Sequence, residues 1–153
     1  MKNKLKQITN SAKETQKLGK ELAKDVLKLK PLETAIVIGF EGDLGSGKTT
    51  FLQGFAKGLG IKEKILSPTF VIMKRFKVKG NRNFYHIDCY RLKKPGELLG
   101  LGFKEIISDP LNIVAIEWAD QVKRILPKKN IHIGLKFVGK NKREISFCYS
   151  IVK

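Results

Sequence analysis

The sequence predicts a three-layer α/β domain with a mixed sheet, and three observations carry that expectation. Two short apolar runs, AIVIGF (35–40) and NIVAI (112–116), suit strands buried on both faces. Apolar residues at helical spacing flank the first run, and turn-rich clusters later in the chain separate pairs of strand-like segments. Strands and helices interleaved in this way point to a three-layer domain with helices on both sides of one sheet. With 153 residues the chain is long enough to bury a core without disulfide or metal staples, so one domain over 1–153 is expected.

The elements follow in order. Ser11-Ala12-Lys13-Glu14 has the form of a capping box, and Thr15, Leu18, Leu22, Val26 and Leu29 then recur on one helical face, predicting a helix over 12–29 that Pro31 ends. The 35–40 run is the first strand. After a glycine-rich turn, Phe51, Leu52, Phe55 and Leu59 share a helical face, with Gly60 placed to cap the C-terminus.

FVIMKRFKV (70–78) reads as a strand from the alternation of Phe70, Ile72, Phe76 and Val78. KGNRN (79–83) is a turn and FYHID (84–88) the returning strand. Antiparallel counting from that turn puts Thr69 within a residue or two of Arg91, so the polar clusters SPT (67–69) and HIDCYR (86–91) meet at one end of the hairpin. Pro95 and Glu97 open a short helix through about Leu101. The 112–116 strand ends at Glu117-Trp118, and IHIGLKFV with REISFCYSIV forms a closing hairpin around 139–142.

Composition narrows the function classes. The formal charge of +17, from 31 basic and 14 acidic residues, suits polyanionic neighbours such as RNA. The lysines are nevertheless scattered from Lys2 to Lys153 with no interleaved aromatic RNA-reading motif, which reads as a solvated surface. No apolar run approaches the roughly 18 residues of a membrane span, and the basic N-terminus lacks a secretory apolar core, so a cytoplasmic protein is expected. Cys89 and Cys148 have neither disulfide-framework nor zinc-ligand spacing.

The chemistry concentrates in GDLGSGKTT. Gly42-x-x-x-x-Gly47-Lys48-Thr49 fulfils the P-loop pattern, and it has the context that pattern requires, a strand before and a helix after. Gly42, Asp43, Leu44, Gly45, Ser46, Gly47 and Thr50 supply a backbone cradle for the phosphates of a nucleoside triphosphate. Lys48 reaches the β- and γ-phosphates, and the Thr49 hydroxyl suits Mg²⁺. Such a site needs an acid near the metal, and two are candidates. Glu117 leaves the end of a buried strand, as a Walker B acid does, unless it is a surface charge there. Asp88 ends the other polar cluster, on the strand face it shares with His86. His86 by itself reads as a structural hydrogen-bonder. Thr69 fits either a γ-phosphate sensor or the start of a strand.

GDLGSGKTTF, SPTF, YHIDCYRL, PGELLGLGF and the strand-ending IEW together resemble the TsaE family, also called YjeE, in order and spacing from about Ser11 to Pro127. These are small bacterial P-loop ATPases required for threonylcarbamoyladenosine in tRNA. The resemblance implies a mixed parallel and antiparallel sheet, ATP and Mg²⁺ as cofactors, and partnership with the TsaD and TsaB proteins, through which tRNA is reached indirectly. It places the Walker A lysine and magnesium threonine on Lys48 and Thr49, the acidic positions on Asp88 and Glu117, and a site tryptophan on Trp118. Ser46 stands where alanine is common. Ser11 is a candidate for the adenine side, and no motif marks the last thirty residues.

Two other classes fit a P-loop chain of this size. A small-molecule kinase needs a lid with clustered arginines, whereas Arg75, Arg82, Arg91, Arg124 and Arg143 are dispersed. An RNA-binding module with a decayed loop does not fit intact Lys48 and Thr49.

Overall fold

The structure is a computed structural model that describes residues 2–66 and 72–150. Seven strands form one mixed sheet in the order β1-β7-β6-β2-β5-β4-β3, with β1 Lys2–Thr9, β2 Ile36–Glu41, β3 Met73–Val78, β4 Arg82–Asp88, β5 Asn112–Glu117, β6 Ile131–Gly139 and β7 Lys142–Ser150. Strands β6, β2, β5 and β4 run parallel, while β3 and β7 return antiparallel and β1 pairs antiparallel with β7. The two apolar runs are the central pair. Ile36 to Phe40 and Asn112 to Glu117 are all buried, because helices cover both faces of the sheet there.

Side-chain alternation divides the core into two. On one face, helices α1 (Ala12–Lys28) and α2 (Lys48–Gly58) bring Leu22, Val26, Phe51, Leu52 and Phe55 onto Ile38, Phe40, Ile113 and Ala115. On the other, α3 (Pro95–Leu99), α4 (Phe103–Ser108) and kinked 3₁₀ turns over Ala119–Ile125 bring Leu98, Phe103 and Val122 onto Val37, Val114 and Ile116. This is the three-layer arrangement expected. The first helix is capped by Ser11 as read, its Oγ accepting from Glu14 N at 3.1 Å, while Glu14 Oε2 accepts from Asn10 N at 2.5 Å, one residue before the cap.

Helices α1 and α2 lie side by side in the same direction, Gln16 beside Gly54 and Lys20 beside Gly58. Their backbones touch because Gly54 has no side chain, since a Cβ there would run into the Gln16 carbonyl. Both helices therefore start at the edge of the sheet where the parallel strands end.

Three elements differ from the sequence reading. Strand β1 is absent from it, because Lys2, Lys4 and Lys6 alternate with Asn3, Leu5 and Gln7, and Leu5 and Ile8 are its two apolar residues. The strand exists through a ladder with the other end of the chain, Lys2↔Ser150 to Thr9↔Arg143. The lysines suit an edge strand, which must resist further pairing. Helix α4 and the 3₁₀ turns are too short for a periodic signal. The first hairpin has the counted register, Met73↔Ile87 to Val78↔Arg82, but SPT and with it Thr69 lie outside the described residues.

Candidate functional site

The loop between β2 and α2 is shaped by positive backbone angles. Gly47, the N-cap of α2, has φ 103°, and Gly42 has φ 155° with its Cβ direction blocked 2.5 Å away by the Leu135 carbonyl. Only glycine meets both constraints without strain. Behind the loop the chain re-enters the helix, with Ser46 N donating to Asp43 O at 3.1 Å and Phe51 N to Gly47 O at 2.9 Å. The first-turn amides of α2 open at this edge, a geometry that favours anions.

Lys48 folds back into the loop. Its Nζ donates to the Gly42 carbonyl, to Asp43 O at 2.9 Å and to Ser46 Oγ at 3.4 Å, and lies 4.3 Å from the centre of the Trp118 ring. Burial lowers the pKa of the amine, opposed by the carboxylates of Glu117, Asp43, Asp88 and Asp120. Ser46 is itself buried and adds an oxygen that alanine would lack. Leu44, at the loop tip, is 72% exposed.

Beside the loop stand the two acids. Glu117 is buried at the end of β5, and Thr49 Oγ1 donates to its Oε1 at 3.3 Å. His86 Nε2 donates to the other oxygen, Oε2, at 2.7 Å. Asp88 is the register partner of Glu117 on β4, with Oδ1 accepting from Tyr90 N at 2.9 Å. Burial raises the Asp88 carboxyl above its ordinary value; the Tyr90 N–H opposes this, Glu117 adds to it, and His86 and Lys48 oppose it. Strand β4 lies inside the sheet between β3 and β5, and Cys89 N donates to Glu117 O at 3.0 Å, so Asp88 and Glu117 sit on one hydrogen-bonded scaffold. Burial pushes the Cys89 thiol up to about 12, leaving it without thiolate chemistry at neutral pH.

Trp118 follows Glu117 in a left-handed conformation, φ 58° and ψ 45°, which turns its ring back over Lys48. Tyr90 packs against that ring with centroids 5.0 Å apart. A bulky residue at positive φ is held there by its surroundings.

The structure thus gathers Gly42 to Thr50, Asp88, Glu117 and Trp118 at one sheet edge. Ser11 lies at the same edge, because α1 starts beside α2, and its oxygen is engaged in the helix cap. Two residues acquire a place that sequence reading did not assign. His86 reaches Glu117 only through the parallel β4–β5 register, although its shared face with Asp88 was visible by alternation. Arg143, the second residue of β7, lies at this edge with its Nε 3.6 Å from where a Cβ on Gly47 would stand, and its guanidinium carbon lies 4.7 Å from the centre of the Phe137 ring. No local motif marks it.

The donor set fits a hard cation. A hydroxyl and one or two carboxylates are what Mg²⁺ takes from protein when phosphates and water complete its shell. Among the described residues no group of three or more His, Cys, Asp or Glu side chains forms an all-protein metal cage.

Residues 9–145 match the family model described as "Threonylcarbamoyl adenosine biosynthesis protein TsaE". The chain belongs to the TsaE family. Among its TsaE relatives, one from Rickettsia felis is 39% identical over 137 residues, covering 89% of this chain and 75% of the relative. One from Bacillus subtilis is 41% identical over 111 residues, covering 72% and 68%. Both carry the name tRNA threonylcarbamoyladenosine biosynthesis protein TsaE. The fold is similar to the crystal structure of Bacillus subtilis YdiB, with a TM-score of 0.79 and 34% identity over 99% of this chain and 88% of that one. Among the described residues no helix is long and apolar enough to cross a membrane.

Proposed function

We propose that this TsaE-family chain is a P-loop ATPase that binds Mg²⁺ and ATP and supports threonylcarbamoyladenosine formation in tRNA, acting in the cytoplasm with TsaD and TsaB homologues. The observation that carries the reading is the Thr49–Glu117 hydrogen bond at the mouth of the glycine loop, which joins the magnesium threonine to a buried strand-end acid. In this reading the amides of Gly45 to Thr49 and the start of α2 hold the phosphates, and Lys48 exchanges the loop carbonyls for β- and γ-phosphate oxygens. Thr49 and Glu117, with Asp88 behind them, hold the ion or its water. Mg²⁺ held by these residues would supply positive charge to the phosphate oxygens. Glu117 and Asp88 orient water on the γ side.

Family membership supports the process, and the site supports the nucleotide. In this reading Arg143 and Ser11, which belong to the β7 and β1 side of Gly47 rather than to the side of the acids, meet the rest of the nucleotide. The reading is tested by calorimetry of ATP binding with and without Mg²⁺, and by a pull-down with TsaD and TsaB with and without ATP. Retention that depends on ATP supports the partnership. A chain that binds no ATP and captures neither partner would overturn the proposal.

A further inference from the structure

We infer that His86 is the positioning residue that sets the direction of the Glu117 carboxylate, and through it the oxygen offered to the metal beside Thr49; this rests on the nucleotide reading above. A strand end fixes the Cα of Glu117 but not its three side-chain torsions. What fixes them is a clamp at both oxygens. His86 Nε2 holds Oε2 at 2.7 Å, so Oε1 is left facing the Thr49 hydroxyl at 3.3 Å.

The clamp is built into the sheet. His86 lies on β4 opposite Ala115 of β5, two residues before Glu117, and even-numbered side chains of β4 share a face with odd-numbered ones of β5: Phe84 joins Ile113 and Ala115 in the same core. The imidazole therefore rises beside the β5 side chains and meets Glu117 from below. It is 1% exposed and Glu117 2%, so water does not compete for that oxygen. Of the two interactions the His86 bond is shorter by 0.6 Å, and it is the one that does not involve a candidate metal ligand on the other side. Groups of this kind, one bond removed from a metal, alter its affinity about 10–100-fold when removed.

The test uses the full chain and calorimetry of ATP in excess chelator and in excess Mg²⁺. For His86→Leu the expected result is a loss of about tenfold or more in MgATP affinity with metal-free ATP affinity changed less than about twofold. His86→Gln, which keeps an N–H donor, should stay within about threefold of wild type in both conditions. Should His86→Leu fail to fold because Glu117 is left buried without its partner, the comparison is made in a Glu117→Ala background, which removes the carboxylate that His86 holds. There, adding His86→Leu should leave MgATP affinity unchanged, since His86 acts only through Glu117. A further loss in that background, or equal losses with and without Mg²⁺, would overturn the inference and make His86 a general structural residue. A wild-type chain that binds MgATP with the His86 variants unaffected overturns this inference alone. A wild-type chain that binds no MgATP overturns the nucleotide reading, and this inference with it.

Discussion

Lys48 Nζ lies 4.3 Å from the centre of the Trp118 ring, so the loop cation and the aromatic side chain beside the strand-end acid form one contact. The chain has one tryptophan, and a cation that moves relative to an indole changes its emission. Adding MgATP should therefore change intrinsic fluorescence saturably, as Lys48 turns from the loop carbonyls to phosphate. Lys48→Ala should abolish the titration at nucleotide concentrations that saturate wild type, with affinity reduced about 10–100-fold by loss of a charge-assisted contact and an unchanged far-UV spectrum. Undiminished affinity in that variant would remove Lys48 from the phosphate site.

Thr49→Ala separates the metal from the cradle. The variant loses the hydroxyl that donates to Glu117 Oε1 but keeps its backbone N–H in the first turn of α2. MgATP binding should weaken about tenfold while metal-free binding changes by less than about twofold. Equal losses in calorimetry would mean that Thr49 does not act through the ion.

Asp88 should trade stability for function. Burial, the first cause, raises its carboxyl above the ordinary value, so the folded chain holds that proton more tightly than the unfolded chain. The resulting contribution is present below the unfolded value and is lost as pH rises through the raised folded value. At neutral pH the half-buried charge is a cost. Asp88→Asn keeps an oxygen for Tyr90 N and removes the charge, so its Tm should exceed that of wild type at pH 7.5 by about 1–3 °C, and the difference should shrink toward pH 4. Hydrolysis should fall at least about tenfold in the same variant. Thermal scans at the two pH values check the first part, and a Tm below wild type at pH 7.5 would refute it.

Helix α2, which the glycine loop opens into, touches α1 backbone to backbone at Gly54. Gly54→Ala puts a methyl group against the Gln16 carbonyl, a backbone atom that cannot turn aside. Overpacking of this kind costs about 1–3 kcal/mol, which lowers Tm by about 2–10 °C in a chain of this size. Gly45→Ala is the control: it adds a Cβ with nothing within 4 Å, although its φ of 78° brings backbone strain. Loss of stability in the Gly45 variant greater than in the Gly54 variant would show that the helix contact is not tight.

The sequence by itself determined the elements whose signal is local: the capped helix after Ser11, the two buried strands, the loop that Gly42 to Thr49 must form, and the hairpins whose turns set their own register. It also determined which residue types could meet a phosphate, because a glycine loop, a lysine and a threonine do this from within the eight consecutive positions Gly42 to Thr49. What only the tertiary structure decided depends on partners far along the chain. Strand β1 exists because β7 completes its backbone hydrogen bonds, and its lysine alternation carries no trace of that pairing. Arg143 comes to Gly47 through the same sheet edge. His86 joins Glu117, 31 positions later, only when β4 and β5 lie parallel in the observed register, since a one-residue slip would turn the imidazole to the opposite face. Local chemistry is written in neighbouring side chains, whereas the direction of the Glu117 carboxylate is set by packing between strands that no short stretch of sequence contains.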